Sequence, residues 1–264
     1  VSNGAEFGRS IATQIQDQDG NVVTTGSDAT AIVTLTPTGA TLTGTRSKAA
    51  ISGAASFTDL VMTGVVGSKT ITASTATFTS APYAVTLNAG AATKLVVTTS
   101  ATGAVNRVAF GTQPAITVQD SSGNTVSSYL TDVTVTSTPV DGSASATVTG
   151  TISRPPSTGI ATFTNLRLEG KVGQHDLTFS SGSLSSTTQR VTLTHGAVSA
   201  VVLTGATTAS NARTFDSSVT VEIQDADANR VTTGTAANQS IVMSATGATI
   251  SGTATRSASS GIAT

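Results

Sequence analysis

The sequence contains two copies of an Asp-x-Asp-x-Asn pattern, whose side-chain oxygens have the type and spacing of metal ligands. Alternating oxygen-bearing side chains of this kind open loops that bind Ca²⁺, because a hard cation prefers several oxygen ligands. The carboxylates that could bind such a cation are Asp17, Asp19, Asp225 and Asp227. Calcium is therefore one candidate cofactor.

The rest of each pattern fits a calcium loop poorly. Its sixth position is not glycine, its twelfth is Asp28 in one copy and Ala236 in the other, and a third copy carries Ser122 in place of the second Asp. Asp, Asn and Gly also close tight turns, in which an Asp side chain accepts hydrogen bonds from nearby backbone amides. We therefore predict tight turns here and no bound metal or cofactor, with calcium as the alternative.

The two histidines, His175 and His195, are the next candidate ligands. They lie 20 residues apart, and the chain has no cysteine that could complete a zinc site. His175 aligns with Lys69 of another repeat, and His195 stands beside a repeat boundary. We interpret both as surface or junction residues and not as metal ligands.

Small hydroxyl side chains are too numerous to identify a nucleophile. Thr and Ser account for 53 and 34 of the 264 residues, so some must lie near His or Asp by chance. No Gly-x-Ser-x-Gly turn is present. The carboxylates of the middle repeat are spread over turns and strand ends, namely Asp120, Asp132, Asp141, Glu169 and Asp176. We predict that the chain is not an enzyme and has no catalytic residues.

Composition and charge exclude several further classes. The net charge is −1, which provides no field to hold a nucleic acid or an anionic membrane surface. No apolar run approaches the roughly 18 residues that cross a bilayer, so we expect no membrane insertion. Zero cysteines exclude a disulfide framework.

Internal repetition decides the organisation of the chain. The phrase that begins Ile15-Gln16-Asp17 returns at Val118 and again at Ile223, at spacings of 103 and 105 residues. Residues 1–56 align without a gap with residues 209–264 and share 24 identities. In each repeat an asparagine stands four residues before a phenylalanine, at Asn3, Asn106 and Asn211.

These repeats predict three units, with boundaries at Gly90 and Gly196. Unit 1 is 1–89 and lacks its first strand, unit 2 is 90–195 and is complete, and unit 3 is 196–264 and lacks its C-terminal strands. We interpret the chain as a window on a longer array. No Pro-rich or charged linker separates the units, which favours a stiff rod.

Within the complete unit, apolar residues alternate with Thr or Ser, a pattern typical of half-buried strands. No apolar stripe recurs at helical spacing. About seven short strands in roughly 104 residues predict an all-β fold of tandem immunoglobulin-like Greek-key sandwiches. The predicted core consists of Ile116, Val118, Val133, Val135, Ala161, Phe163, Leu166, Leu168, Leu177, Phe179, Val191 and Leu193.

An ordered series of motifs in unit 2 resembles the bacterial immunoglobulin-like repeat of the invasin and intimin type. The residues that carry the resemblance are Asp120, Gly123, Asn124, Val126, Asp132, Val133, Gly159, Ala161, Phe163, Gly173, His175, Leu177 and Phe179. It extends over all three units. It implies tandem rods in bacterial or archaeal surface proteins, such as adhesins, S-layer proteins and extracellular filaments.

Two functional hypotheses follow. The first is a non-catalytic shaft of a secreted or cell-surface prokaryotic protein, whose partners are neighbouring repeats of the same longer chain and, through self-assembly, other copies. The second is a glycan- or protein-binding module of a secreted enzyme or phage structural protein, with the loop 139–158 as its binding segment. Sugar-binding sandwiches usually display clustered aromatic residues, and this chain has no Trp and two Tyr.

Overall fold

The computed structural model describes residues 1–140, 142, 144–215 and 217–264. Almost all of its regular structure is β-strand, and its two helices are short 3₁₀ turns at Asp28–Thr30 and Thr235–Asn238. Every ladder between the strands is antiparallel. The all-β prediction is therefore confirmed. Asp141, one of the carboxylates named above, lies outside the described residues.

The strands are short because Gly, Asn and Ser residues close turns between them at intervals of a few residues. In unit 1 they are β1 (Ile11–Gln14), β2 (Ile32–Thr38), β3 (Thr41–Thr43), β4 (Ser47–Ala49), β5 (Ala54–Phe57), β6 (Val61–Thr63), β7 (Gly67–Ser74) and β8 (Tyr83–Leu87). In unit 2 they are β9 (Lys94–Thr99), β10 (Ala115–Gln119), β11 (Val133–Pro139), β12 (Ala146–Thr149), β13 (Ser153–Arg154), β14 (Ile160–Thr162), β15 (Arg167–Gly170), β16 (Gly173–Ser180) and β17 (Thr187–Leu193). In unit 3 they are β18 (Val198–Thr204), β19 (Thr220–Asp225), β20 (Ser240–Val242), β21 (Thr255–Ser257) and β22 (Ile262–Ala263).

Unit 2 shows the sandwich most fully. Its sheets have the strand orders β14-β10-β9 and β13-β11-β16-β17, with a separate ladder of β12 and β15. The chain therefore crosses from one main sheet to the other between β10 and β11 and again between β13 and β14, as in an immunoglobulin-like sandwich. Units 1 and 3 repeat parts of this pattern, with the orders β4-β2-β7-β8 and β18-β19-β22.

The core of unit 2 lies between its two main sheets, since both contribute buried side chains to one apolar cluster. All twelve residues predicted to form this core are buried. The rings of Phe163 and Phe179 pack at its centre with centroids 5.5 Å apart. Alternation of β-branched and small polar residues thus places one face of each strand in the core, as the period of two predicts.

Separate apolar clusters lie within 33–87, 95–193 and 221–263 of the described chain. Each falls inside one predicted unit, while the boundaries after residues 89 and 195 stay predictions. One local expectation is wrong: the stretch 139–158 is not a continuous loop, because it contains β12 and β13. Val148 of β12 is buried against the core, so β12 belongs to the sandwich wall.

Candidate functional site: the junctions between units

The Asp-x-x-x-Asn phrase folds as the same tight turn in all three units. In unit 2, Asp120 Oδ1 accepts hydrogen bonds from the backbone N–H groups of Ser122 and Asn124, at 2.9 and 2.8 Å. The corresponding bonds to Asp225 are both 2.9 Å, and those to Asp17 are 3.0 and 2.8 Å. The predicted turn is local in origin, because an Asp side chain can bond amides two and four residues ahead in a compact loop.

The environment of the turn differs sharply between units. Asp120 and Asp225 are only 1% and 3% exposed, and their partner asparagines are also buried. Asp17 and Asn21 are exposed. The two buried turns are those that contact the unit before them in the sequence, so burial here marks a junction between units.

Asn106 is the main link across the second junction. It belongs to unit 2, yet its Nδ2 donates to Asp225 Oδ2 at 2.8 Å and to Asp227 Oδ2 at 2.7 Å in unit 3. Its Oδ1 accepts from the backbone N–H of Gly170 at 3.0 Å. The side chain is therefore held by its own unit and bonds to the next one.

Asn229 completes the link in the opposite direction. Its Nδ2 donates to the carbonyl oxygen of Gly170 at 2.8 Å, and its Oδ1 accepts from the backbone N–H of Val172 at 3.0 Å. A side-chain amide that both donates to and accepts from the same backbone segment fixes distance and orientation together. This pairing gives the junction a defined geometry.

The first junction repeats this pairing with different neighbours. Asn124 Nδ2 donates to the carbonyl oxygen of Gly64 at 2.9 Å, and Asn124 Oδ1 accepts from the backbone N–H of Val66 at 3.0 Å. Asn3 stands where Asn106 does, and it donates to Gly64 and accepts from Ser122 Oγ at 2.9 Å. Both junctions therefore use one asparagine from each unit.

The second junction adds charged groups that the first lacks. Arg107 Nε lies 2.7 Å from Asp227 Oδ2, and its second guanidinium bond to Asp227 Oδ1 is 2.8 Å. Lys171 Nζ donates to the carbonyl oxygens of Asp227 and Ala228 at 2.8 and 3.0 Å. The hydrogen bond from Arg107 lowers the pKa of Asp227, and the same contact raises the pKa of Arg107.

Glycine is required where the chain passes from one unit to the next. A Cβ at Gly90 would lie 2.3 Å from the carbonyl oxygen of Asn3, and one at Gly196 would lie 2.7 Å from that of Asn106. The amides of the same glycines donate to the turn carboxylates, at 2.9 Å to Asp120 and 2.8 Å in the second junction. The predicted boundary glycines are thus contact residues of the junctions.

The buried carboxylates are stabilised in their charged form. Burial raises the pKa of Asp225, but hydrogen bonds from the Gly196 amide and from two asparagine side chains outweigh it and hold the pKa well below its ordinary value. At Asp120 burial acts in the same sense and is outweighed by bonds from Gly90 and Asn124, so its pKa is also lowered. Each junction therefore contains an ionised carboxylate whose lone pairs are occupied by N–H donors.

The four calcium candidates differ in whether they lie at a junction between units. Asp225 and Asp227 are engaged by N–H donors at the second junction, whereas Asp17 and Asp19 lie in the exposed turn of unit 1. Among the described residues, no group of three or more His, Asp or Glu side chains is arranged to hold a metal ion. The calcium alternative stays a prediction.

The histidines lie near the second junction but do not meet. His175 is fully buried, which corrects the expectation of a surface residue. Its Nε2 donates to the Lys171 carbonyl oxygen at 2.9 Å, and its Nδ1 has no hydrogen-bond partner in the described part of the chain. His195 Nε2 lies 2.9 Å from Thr233 Oγ1 in unit 3, as expected of a junction residue.

The repeated asparagines are visible in the sequence, but their role at the junctions is not. Asn3 and Asn106 are buried polar residues of the junctions, while Asn211 at the third equivalent position is exposed. The signal was their recurrence with the period of the whole unit, because a polar residue repeated at unit spacing need not serve the core of its own unit. In the described stretches, no helix is long and apolar enough to cross a membrane.

No family model and no curated protein matches the chain. The Escherichia coli adhesin FdeC is similar in structure, with a TM-score of 0.39, 16% identity, and coverage of 90% of this chain and 79% of that one. Domains 4–9 of the surface layer protein SbsC have a TM-score of 0.30 and 18% identity, with coverage of 88% of this chain and 34% of that one. The Parabacteroides merdae β-glucuronidase has a TM-score of 0.29 and 12% identity, with coverage of 62% of this chain and 21% of that one. The chain thus spans about a fifth of that β-glucuronidase and a third of the SbsC segment. At these low scores the likenesses carry no argument about function.

Proposed function

We propose that this chain is the non-catalytic shaft of a secreted or cell-surface prokaryotic protein, of the bacterial immunoglobulin-like type that its motifs resemble. The observation that carries the proposal is that two junctions, 105 residues apart, use the same buried Asp, Asn and Gly groups. A contact that recurs at each boundary sets a similar orientation between successive units. Repetition of one orientation extends an array in one direction.

The chemistry of the junction supports stiffness. Its hydrogen bonds are directional. A buried carboxylate such as Asp225 loses the hydrogen bonds that offset its removal from water if its donors move away. A junction held by apolar contacts alone would allow sliding, since apolar contact is non-directional. The linkers at Gly90 and Gly196 are themselves bonded, so they contribute no free segment.

The composition suits an extracellular shaft. The chain has no cysteine, so its folding does not depend on redox conditions. Only 13 Lys and Arg residues occur in 264, which leaves few sites for trypsin-like proteases. Its partners in this proposal are the neighbouring units of a longer chain and, in a filament or lattice, other copies.

Small-angle X-ray scattering of the 264-residue chain tests the shaft. We expect an ensemble fit to the scattering data to give one narrow distribution of the maximum dimension of the chain, and a calcium chelator should leave this distribution unchanged. The paired variant Asn3→Ala and Asn106→Ala should broaden it, while the matched control Asn211→Ala should not, because Asn211 is exposed. A broad distribution for the unmodified chain, or no effect of the pair, would refute the shaft; loosening by the chelator alone would restore calcium as a junction ligand.

Electron microscopy of the native material separates the two kinds of shaft. Ordered filaments or a lattice with a repeat of domain size would identify an S-layer or filament component. Isolated rods that end in a distinct knob would identify an adhesin stalk.

A further inference from the structure

Each unit carries a basic residue at the same register position of one strand. The basic residues, each with its cross-strand partner, are Lys48 with Val33, Arg154 with Val133 and Arg256 with Ile241. The strands that carry the first two, β4 and β13, are the edge strands of their four-stranded sheets. A basic residue therefore recurs at one place in the fold.

These basic residues stand on the side of the sheet that faces the core. Residues directly opposite each other on paired strands project to the same face. Val33 is 3% exposed and Val133 is fully buried, so that face is the core face. Lys48 and Arg154 are nevertheless exposed. Because a charge is costly to bury without a partner, each side chain extends past the margin of its sheet.

Beyond the margin, each side chain meets the edge of the other sheet. Lys48 Nζ donates to the carbonyl oxygen of Ser56 in β5 at 3.0 Å. Arg154 Nε donates to the carbonyl oxygen of Thr162 in β14 at 2.9 Å. Among the described strands, β5 pairs only with β1 and β14 only with β10. Each of these bonds therefore joins the edge strand of one sheet to the edge strand of the other.

The accepting carbonyl points to the unpaired side of its strand. The N–H of Phe163 donates to the carbonyl oxygen of Pro114, just before β10, at 3.0 Å. The C=O of Thr162 belongs to the same planar trans peptide and points the opposite way. It is thus an acceptor that a strand added to this edge would use, and Arg154 already occupies it.

The opposite seam of unit 2 is closed by backbone hydrogen bonds instead. The N–H of Leu95 in β9 donates to the carbonyl oxygen of Ser185, just before β17, at 3.0 Å. The N–H of Ser185 donates in turn to the carbonyl oxygen of Thr93 at 3.0 Å. The basic residue therefore stands at the seam where the edge strands β13 and β14 lie side by side without a ladder.

We propose that Lys48, Arg154 and Arg256 block β-strand addition by a second copy of this chain at these sheet edges. A strand that adds to β13 covers the guanidinium of Arg154, and a strand that adds to β14 displaces it from Thr162. Either step leaves a charge without water or partner, which is unfavourable. An unprotected edge would otherwise act as a template for pairing. The inference rests on the edges of single units and not on the proposed shaft.

Sedimentation velocity of the full 264-residue chain over a range of concentrations tests the proposal. The double variant Lys48→Met with Arg154→Met keeps the side-chain stems and removes both charges, and its copies should associate at least about tenfold more tightly than those of the unmodified chain. The matched control, Lys69→Met with Arg9→Met, removes the same two charges from the inner strand β7 and from the bend before β1. It should associate no more than the unmodified chain.

Hydrogen exchange locates the contact. In a strand, the N–H and C=O of one residue point to the same side, so the amides of Ser56 and Thr162 face the unpaired edge. Both should exchange more slowly in the associated double variant. Each single variant, Lys48→Met or Arg154→Met, should slow exchange only at the edge of its own unit, and the single variants decide if the double variant does not fold. Lys48→Arg with Arg154→Lys keeps both charges and should behave as the unmodified chain does.

Three results would overturn the proposal. The first is a double variant that associates no more tightly than the unmodified chain. The second is equal association of the control pair, because the lost net charge would then be the cause. The third is association that leaves exchange at Ser56 and Thr162 unchanged, because the copies would then meet through another surface.

Discussion

The two junctions of this chain share their buried centre and differ at their rim. Both centres pair an Asp turn of one unit with an asparagine and a glycine of the unit before it, which are Asn3 and Gly64 at the first junction and Asn106 and Gly170 at the second. At the rim, the second junction has Arg107 and Asp227, where the first has Gly4 and Ser122. The Arg107 side chain is 49% exposed. The contrast teaches that the hydrogen-bonded centre defines the junction, whereas the exposed ion pair adds little.

The exposed turn at Asp17 shows which hydrogen bonds form without a junction. Asp17 makes the same bonds to its own backbone as Asp225 does, although it is exposed. Those bonds, led by the one from Asn21, lower the pKa of Asp17. The turn is therefore formed before docking, and docking adds burial and the bonds from the neighbouring asparagine.

The largest expected effect comes from the core on which both junctions depend. Phe163→Ala should lower the free energy of unfolding of unit 2 by ~3–5 kcal/mol, the usual cost of removing a buried aromatic ring. Hydrogen exchange in β16 and chemical denaturation measure it. Phe78→Ala, at an exposed phenylalanine, is the control and should cost little. A loss below about 1 kcal/mol for Phe163→Ala would mean that Phe163 does not pack at the centre of the core.

Removal of a central asparagine should have the next largest effect. Asn106→Ala removes one of the donors to Asp225, one donor to Asp227 and the side-chain acceptor of the Gly170 amide, which should weaken the second junction by about 1–3 kcal/mol. Differential hydrogen exchange at residues 225–229 reports the opening of the junction, with Asn211→Ala as the matched control. Equal effects of the two variants would show that Asn106 acts only within its own unit.

Acid should loosen the second junction more steeply than the first. A carboxylate whose folded pKa is lowered contributes stability above its unfolded pKa of about 3.9, and that contribution is lost as the pH falls through the folded pKa. The second junction holds two such groups, Asp225 and Asp227, while the first holds Asp120. Exchange at both junctions between pH 7 and pH 2 measures this. Stability that rises on acidification below about pH 4 contradicts the assignment.

The smallest expected effect comes from exchanging the rims. Gly4→Arg with Ser122→Asp transfers the ion pair to the first junction, and it replaces the hydroxyl that donates to Asn3 Oδ1 with a carboxylate that can accept from the Asn3 amide. A Cβ at position 4 meets no atom within 4 Å. Arg107 adopts the same left-handed conformation at φ 63°, but an arginine at Gly4, which has φ 74°, costs about 1–2 kcal/mol of backbone strain that does not depend on salt. We expect Tm of this variant to be slightly higher at low salt than in 1 M NaCl, where the Debye length is about 3 Å and the ion pair is screened.

The reciprocal variant, Arg107→Gly, removes the ion pair but keeps the Asn106–Asp227 hydrogen bond, and Tm of this variant should lose that salt dependence. An unchanged salt dependence of Tm in either variant would contradict the role given to the ion pair.

Sequence alone determined the strands, the core and the repeat, because each depends on a local or periodic pattern. Alternation along Val133 and Val135 identifies a buried strand face wherever it occurs. The tight turn at Asp120 was equally predictable, since its bonds reach only four residues ahead. The repeat length gave the positions of the boundary glycines without any structure.

Only the tertiary structure decided what those residues meet. Asn106 and Asp225 are 119 residues apart in sequence and join across a boundary, so no local pattern could pair them. His175 aligns with Lys69, and lysine is a residue type usually found at the surface. His175 is nevertheless buried, because β16 places it inside the sandwich near the second junction. Long-range packing determines which polar groups lose water, and that loss is what turns a repeated surface turn into a junction.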